Sequence, residues 1–205
     1  LYKEETRAFF VPPTDQSAVG DGNTQIGGDG NIAGGDLIIQ GVPPTEHAKA
    51  LAQIEILKEK LAIAQAADKE DPTEKEALAA EEAMEIAENL EEMGAELDPW
   101  NYIDLANAAE LRGRTISAAG YNSEALRLFR ESGNRDGEAY SLRSLGIIAK
   151  YRGDYDEAER LQNEALAIKR EIGDRKGESS SLGNLGLIAY ERGDLDESER
   201  LFNEC

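Results

Sequence analysis

The 205 residues carry 40% apolar side chains, enough for a buried core, and a formal net charge of -20. A chain this acidic repels polyanions, which argues against nucleic acid and anionic membrane surfaces as partners, and no apolar run nears the roughly 20 residues of a spanning helix. The single cysteine, Cys205, permits no internal disulfide, so the expected setting is a reducing cytoplasm.

The acidity is uneven: residues 1–98 hold 22 acidic against 7 basic side chains, and residues 99–205 hold 20 against 15. Basic or mixed-charge proteins remain the natural partners. The chain starts at leucine and stops inside a patterned segment, so it reads as a piece of a longer protein.

Residues 1–44 form a first region, rich in glycine and aspartate, with strand-like islands at 24–26 and 37–40. They predict a partly β or disordered segment, dispensable for the helical fold because its glycines bring little apolar area. Gly28-x-Gly30-x-x-Ala33 has no helix after it, so it is not a dinucleotide loop. Asp29-x-Asn31 lacks the closing glutamate of a calcium loop. Thr24, Gln25, Ile26 and Gly27 resemble the tetrad of the RIP homotypic interaction motif, which stacks into amyloid-like signalling fibrils. That resemblance implies self-association through the N-terminal segment, although Asp21, Asp29 and Asp36 would repel their copies in an in-register stack.

Residues 45–97 predict an acidic, degenerate helical hairpin that caps the repeats beyond it. Thr45, after Pro43-Pro44, is placed to cap a helix to about 67, with Leu51, Ile54, Leu57, Leu61 and Ala64 inward. A second helix restarts at Pro72-Thr73 and runs to about 93, with Ala79, Ala83, Ile86, Leu90 and Met93 inward and a glutamate face outward. His47, the only histidine, is expected at the surface.

From residue 98 the chain repeats itself. Residues 138–165 and 178–205 align without a gap at an offset of forty, pairing Leu142 with Leu182, Leu145 with Leu185, Gly146 with Gly186, Ala149 with Ala189 and Leu161 with Leu201. A weaker third copy relates residues 123–138 to 163–178. Leu142, Leu145, Gly146 and Ala149 share one helical face, and Ala158, Leu161, Ala165 and Ile168 another. The turn between them, Arg152-Gly153-Asp154, offers a left-handed glycine and a capping aspartate. Recurrent glycine inside a helix costs about 1 kcal/mol against alanine, so Gly146 and Gly186 need a packing reason. The first unit breaks the frame: Gly120-Tyr121-Asn122 predicts a turn there, after a long helix over about 99–118 and before a short one over about 122–132.

The pattern L-x-x-L-G-x-x-A, then G-D-[YL]-D-E-[AS], then L-x-x-E-[AC] resembles the tetratricopeptide repeat, in the long form of kinesin light chains and G-protein-signalling scaffolds. The resemblance implies an all-α, right-handed solenoid of helical hairpins over 98–205, truncated in its last repeat. It also implies a non-enzymatic adaptor that grips a peptide or protein in a concave groove. Tyr140, Arg143, Ser144, Ile147, Lys150 and Tyr151 of one repeat, with Ser180, Asn184, Leu187 and Tyr190 of the next, would line that groove. An asparagine in the position of Asn184 hydrogen-bonds the peptide backbone in relatives. Arg143 and Lys150, two turns apart with Ile147 between them, make a cationic strip with an apolar centre. With one histidine far from the only cysteine, no catalytic dyad or metal cluster is expected, and no cofactor.

Overall fold

The structure, a computed structural model, describes Val42, residues 44–67 and residues 72–205, all within the compact unit Gly34–Cys205. Thr24, Gln25, Ile26 and Gly27 lie outside the described residues. After a 3-10 turn at Pro44–Glu46, eight α-helices follow: α1 (His47–Gln65), α2 (Glu74–Glu92), α3 (Pro99–Leu111), α4 (Thr115–Ser132), α5 (Arg135–Tyr151), α6 (Tyr155–Ile172), α7 (Arg175–Arg192) and α8 (Leu195–Glu204). There is no strand among the described residues. Each helix packs on the next, giving four hairpins in a row. The expected all-α hairpin solenoid is the fold that forms.

Hairpin shape is set by punctuation at the turns. Gly113, Gly133, Gly153, Gly173 and Gly193 all have positive φ, one at every twentieth residue, so α3 to α7 each end where only glycine adopts the left-handed turn without strain. A capping side chain then starts the next helix: Asn134 and Asp174 accept from Gly137 and Gly177 N–H at 3.0 and 2.9 Å, and Asp154 and Asp194 from Glu157 and Glu197 N–H at 3.3 and 3.2 Å.

The first repeat keeps the frame after all. Its turn lies at Arg112-Gly113-Arg114, with Gly113 at φ 66°, and Gly120 sits inside α4, so the expected division at 120–122 is corrected. Arg114 makes no side-chain cap, which is why this turn was illegible, whereas Gly120-Tyr121-Asn122 carried the composition of one. A Cβ at Gly120 meets nothing within 4 Å. Gly120→Ala is therefore expected to raise stability by about 0.5–1 kcal/mol through helix propensity. Gly113→Ala should lower it by about 1 kcal/mol through left-handed strain. Urea midpoints that move in the opposite senses would place the turn back at residue 120.

Three further expectations are revised in the first hairpin. Thr45 falls in the 3-10 turn and Glu46 precedes α1 without a side-chain cap. The inward stripe is Ala50, Ile54, Leu57, Leu61 and Ala64, while Leu51 is 50% exposed. α1 is apolar on more than one side, so periodicity alone chose the wrong neighbour at its start. His47 is half-buried rather than at the surface, its Nε2 lying 2.6 Å from the carbonyl oxygen of the buried Val42. At the expected restart, Thr73 caps α2 in a reciprocal box with Glu76: its backbone N–H donates to Glu76 Oε2 at 2.8 Å.

The core is divided into three clusters along the stack. Residues of α1 to α4, among them Leu57, Leu90, Leu105 and Phe129, share one cluster, which Ile148 of α5 also joins. A second cluster links α4 to α6 through Leu126, Leu142 and Leu161, and a third unites Leu166, Leu182, Leu185 and Leu201. No hairpin buries its own face; each is completed by its neighbours.

Ionic clips recur on the same forty-residue period. Arg130 reaches Glu138 at 3.0 Å and Glu164 at 2.5 Å, and Arg170 reaches Glu178 at 2.8 Å and Glu204 at 2.5 Å. Gly146 and Gly186 admit the next helix, as expected. A Cβ on Gly146 would stand 2.7 Å from Gln162 Nε2, and one on Gly186 2.9 Å from the Phe202 ring. Gln162 is fully buried and donates to the carbonyl of Arg143 at 2.9 Å, an approach that a side chain at residue 146 would obstruct.

Candidate functional site: the face of the first helices

First helices of the hairpins approach one another across the stack. α1 approaches α3, and α5 approaches α7, whereas no two second helices come comparably near. Side chains one step off the core stripe of α5 and α7 therefore face a shared surface. Tyr140, Arg143, Ser144, Ile147 and Lys150 are half-buried there, as is Asn184, and Leu187 and Tyr190 are 42% and 61% exposed.

An aromatic chain fixes Arg143. Trp100 of α3 meets Phe129 of α4 edge-on at 4.9 Å and Tyr140 of α5 at 6.0 Å. Arg143 Cζ then stands 5.1 Å over the Tyr140 ring. Such contacts favour a guanidinium held flat, with its N–H edge free for an oxygen acceptor. Trp100 was missed in the sequence; its signal was an aromatic forty residues before Tyr140.

Arg143 also stands apart electrostatically. Among the described residues, Arg143 and Arg152 are the arginines with no carboxylate at ion-pair distance, while others, such as Arg130, Arg160 and Arg192, hold two each. Lys150 differs from Arg143. Its Nζ lies 3.5 Å from Glu191 and 4.8 Å over the Tyr151 ring, so it ties α5 to α7. The cation of this face without a carboxylate among the described residues is thus Arg143, with Ile147 one helical turn on.

Asn184 is set by the layer beneath. Its Nδ2 donates to Gln162 Oε1 at 3.4 Å, and the same glutamine holds the Arg143 carbonyl, so one buried amide aligns both helices of the face. Asp104 occupies the equivalent position in α3. Burial pushes its carboxyl up to about 7, a shift opposed by hydrogen bonding to Gln65 and reinforced by the charge of Asp98. Lys169 shows the reverse balance: burial works against its charge, but Asp136 at 2.5 Å and Asp174 at 2.8 Å hold the ammonium above its usual range. No group of three His, Cys, Asp or Glu comes together to hold a metal among the described residues, and no described helix is long and apolar enough to cross a membrane.

Geometry of this kind defines a solenoid that presents an adjustable row of side chains. The sequence profile of the tetratricopeptide repeat matches residues 99–171 and 138–205, together just over half of the chain. The chain belongs to the tetratricopeptide repeat family. A search of curated proteins finds no match. Solved structures with the same fold include apo RapI, at 16% identity and a TM-score of 0.55 over 77% of this chain. They also include BtubC (BKLC) from P. vanneervenii, at 19% and 0.53 over 78% of this chain and 71% of that one. A Podosopora anserina protein of kinesin-light-chain type with nearly identical TPR-like repeats aligns at 13% and 0.55, over 78% and 74% of the two chains. The chain spans 41% of the length of RapI. The family and its fold support a protein-interaction scaffold in general.

Proposed function

We propose that this scaffold holds an extended peptide segment on the face of α5 and α7, with Arg143 as its charge anchor. The carrying observation is an arginine stacked on Tyr140 with no carboxylate partner among the described residues, in a molecule of net charge -20. A ligand carboxylate supplies the missing acceptor, and Ile147, Leu187 and Tyr190 offer apolar area beside it. In a half-buried site such a charge-assisted bond contributes about 1.5–3 kcal/mol, against less than about 1 on an open surface. The reading makes the protein an adaptor with no reaction of its own, its partners proteins or peptides.

Peptides that the protein selects from a random displayed library are expected to pair an aspartate or glutamate with aliphatic or aromatic residues. Arg143→Glu should weaken a selected peptide at least about tenfold, equivalent to about 1.4 kcal/mol, without loss of helical circular dichroism. Glu85→Lys, on the exposed face of α2, should change affinity far less. Titrations with the two effects reversed would make α2 the docking surface.

A further inference from the structure

Three arginines stand forty residues apart at the ends of successive first helices: Arg112, Arg152 and Arg192. Two of them hold a carboxylate of the preceding second helix. Arg112 Nε lies 3.4 Å from Glu81 Oε2 on α2, and Arg192 reaches Glu159 on α6 at 2.6 Å together with Asp156 one turn before it. Arg152 holds none among the described residues. The period explains why: on α4, Ile116 and Ala119 occupy the positions that Asp156 and Glu159 occupy on α6.

What replaces those carboxylates is apolar and open. Ile116 is 86% exposed and Tyr151, next to Arg152, is 78% exposed, the two most exposed large apolar side chains among the described residues. The same period sets them on one edge. Where α7 meets α6, the Tyr155 hydroxyl donates to Glu191 while Arg192 holds Asp156; one repeat earlier, the corresponding pairs are Thr115 with Tyr151 and Ile116 with Arg152. Thr115 to Ser123 contain no charged residue, whereas the same stretch of α6 carries Asp156, Glu157, Glu159 and Arg160. Gly120, one turn on from Ile116, is exposed, and a Cβ there would meet nothing within 4 Å, so the backbone of α4 can be approached closely.

We propose that this edge docks an acidic, partly apolar segment of a partner protein. A carboxylate of the segment takes the place on Arg152 that Asp156 and Glu159 take on Arg192, and its apolar side chains cover Ile116 and Tyr151. Lys150 Nζ, 4.8 Å over the Tyr151 ring, steadies that ring from the other side. Tyrosine and arginine are the residue types in which binding energy concentrates at interfaces. The net charge of -20 opposes an acidic ligand only at long range, because charges beyond about 8 Å are screened at physiological salt. A second copy would bring another -20, whereas a short segment brings one or two carboxylates. The edge is separate from the Arg143 anchor, since nine helical residues place Arg152 about 13.5 Å further along the axis.

The test uses the full chain carrying Arg143→Glu, which removes the anchor of the other face, and peptides that this chain selects from a random displayed library. Selected peptides are expected to pair an aspartate or glutamate with large apolar residues. Arg152→Glu and Ile116→Asp should each weaken them at least about tenfold at unchanged helix content, and Leu78→Asp, on the exposed side of α2, should not. Ile116→Asp combined with Ala119→Glu should rebuild the ion pairs found on α6, blocking the peptides and raising the urea midpoint, and the rise should vanish when Arg152 is alanine. Failure to select any peptide, peptides indifferent to both single changes, or a midpoint that ignores Arg152 would overturn the edge and leave the Arg143 reading untouched. A dimer of the parent chain that Arg152→Glu dissociates in sedimentation would give the edge to a second copy and overturn the partner segment.

Discussion

Gly137→Ala is expected to destabilise the protein by about 2 kcal/mol, the largest loss from a single methyl anywhere in the described stack. The added Cβ would lie within 2.6 Å of the Phe129 ring, a rigid side chain only 1% exposed and pinned edge-on by Trp100. Neither ring has space to retreat, because both belong to the first core cluster or pack against it. Forty residues on, Gly177 faces two flexible side chains: a methyl there would lie nearest to Asp174 Oδ2 and 2.6 and 2.7 Å from Lys169 Cδ and Cε. A lysine stem rotates at modest cost, although its ammonium is tied to Asp136 and Asp174. Gly177→Ala should therefore cost less than half as much as Gly137→Ala. Urea unfolding of the two variants measures the ratio, and equal losses would mean that the rigidity of the partner side chain is not what decides.

The second large effect depends on pH. Burial raises the Asp104 carboxyl to about 7, while an unfolded aspartate titrates near 3.9. Between those values the native chain binds the extra proton. The stability contributed by that proton is fully present below about pH 4 and is lost as the pH rises through 7. Asp104→Asn keeps an acceptor for Gln65 and never ionises. It is expected to exceed the parent by on the order of 2–4 kcal/mol at pH 8 and to match it near pH 4. Equal stabilities at pH 8 would show that Asp104 carries its charge without penalty.

The sequence made the hairpin periodicity visible because the repeated residues perform one task in each copy. Gly153 and Gly193 end helices, Gly146 and Gly186 admit a neighbour, and Ala158 and Leu161 fill the same layers. It failed where a copy performs the task with different chemistry. Arg114 starts α4 with no capping oxygen, so the turn beside it was invisible. Lys169 takes the place of Phe129, its stem packing where a ring packs one repeat earlier, and no hydrophobic pattern anticipates a lysine that is 8% exposed.

The candidate site was legible as a face and not as an arrangement. Helical spacing placed Tyr140, Arg143, Ile147 and Lys150 together, but spacing along one helix says nothing of what stands across from it. Glu191 on α7 engages Lys150 and Trp100 on α3 supports Tyr140, and both are contacts between hairpins. In the sequence Gln162 is one polar residue of α6 among many, whereas in the structure its amide joins Arg143 to Asn184. Long-range partners of this kind are carried by the stacking, which the one-dimensional pattern implies but does not detail.

The evenly spaced clips at Arg130 and Arg170 have a mechanical meaning. Each joins one second helix to the next, so tension applied along the axis loads them in series and not all at once. Such half-exposed pairs add little to stability one by one, so the core contacts that share their forty-residue period would bear most of a load. Forty residues drawn out at about 3.5 Å apiece yield an extension on the order of 140 Å. Pulled from its two ends, the stack is therefore expected to lengthen in steps of that size.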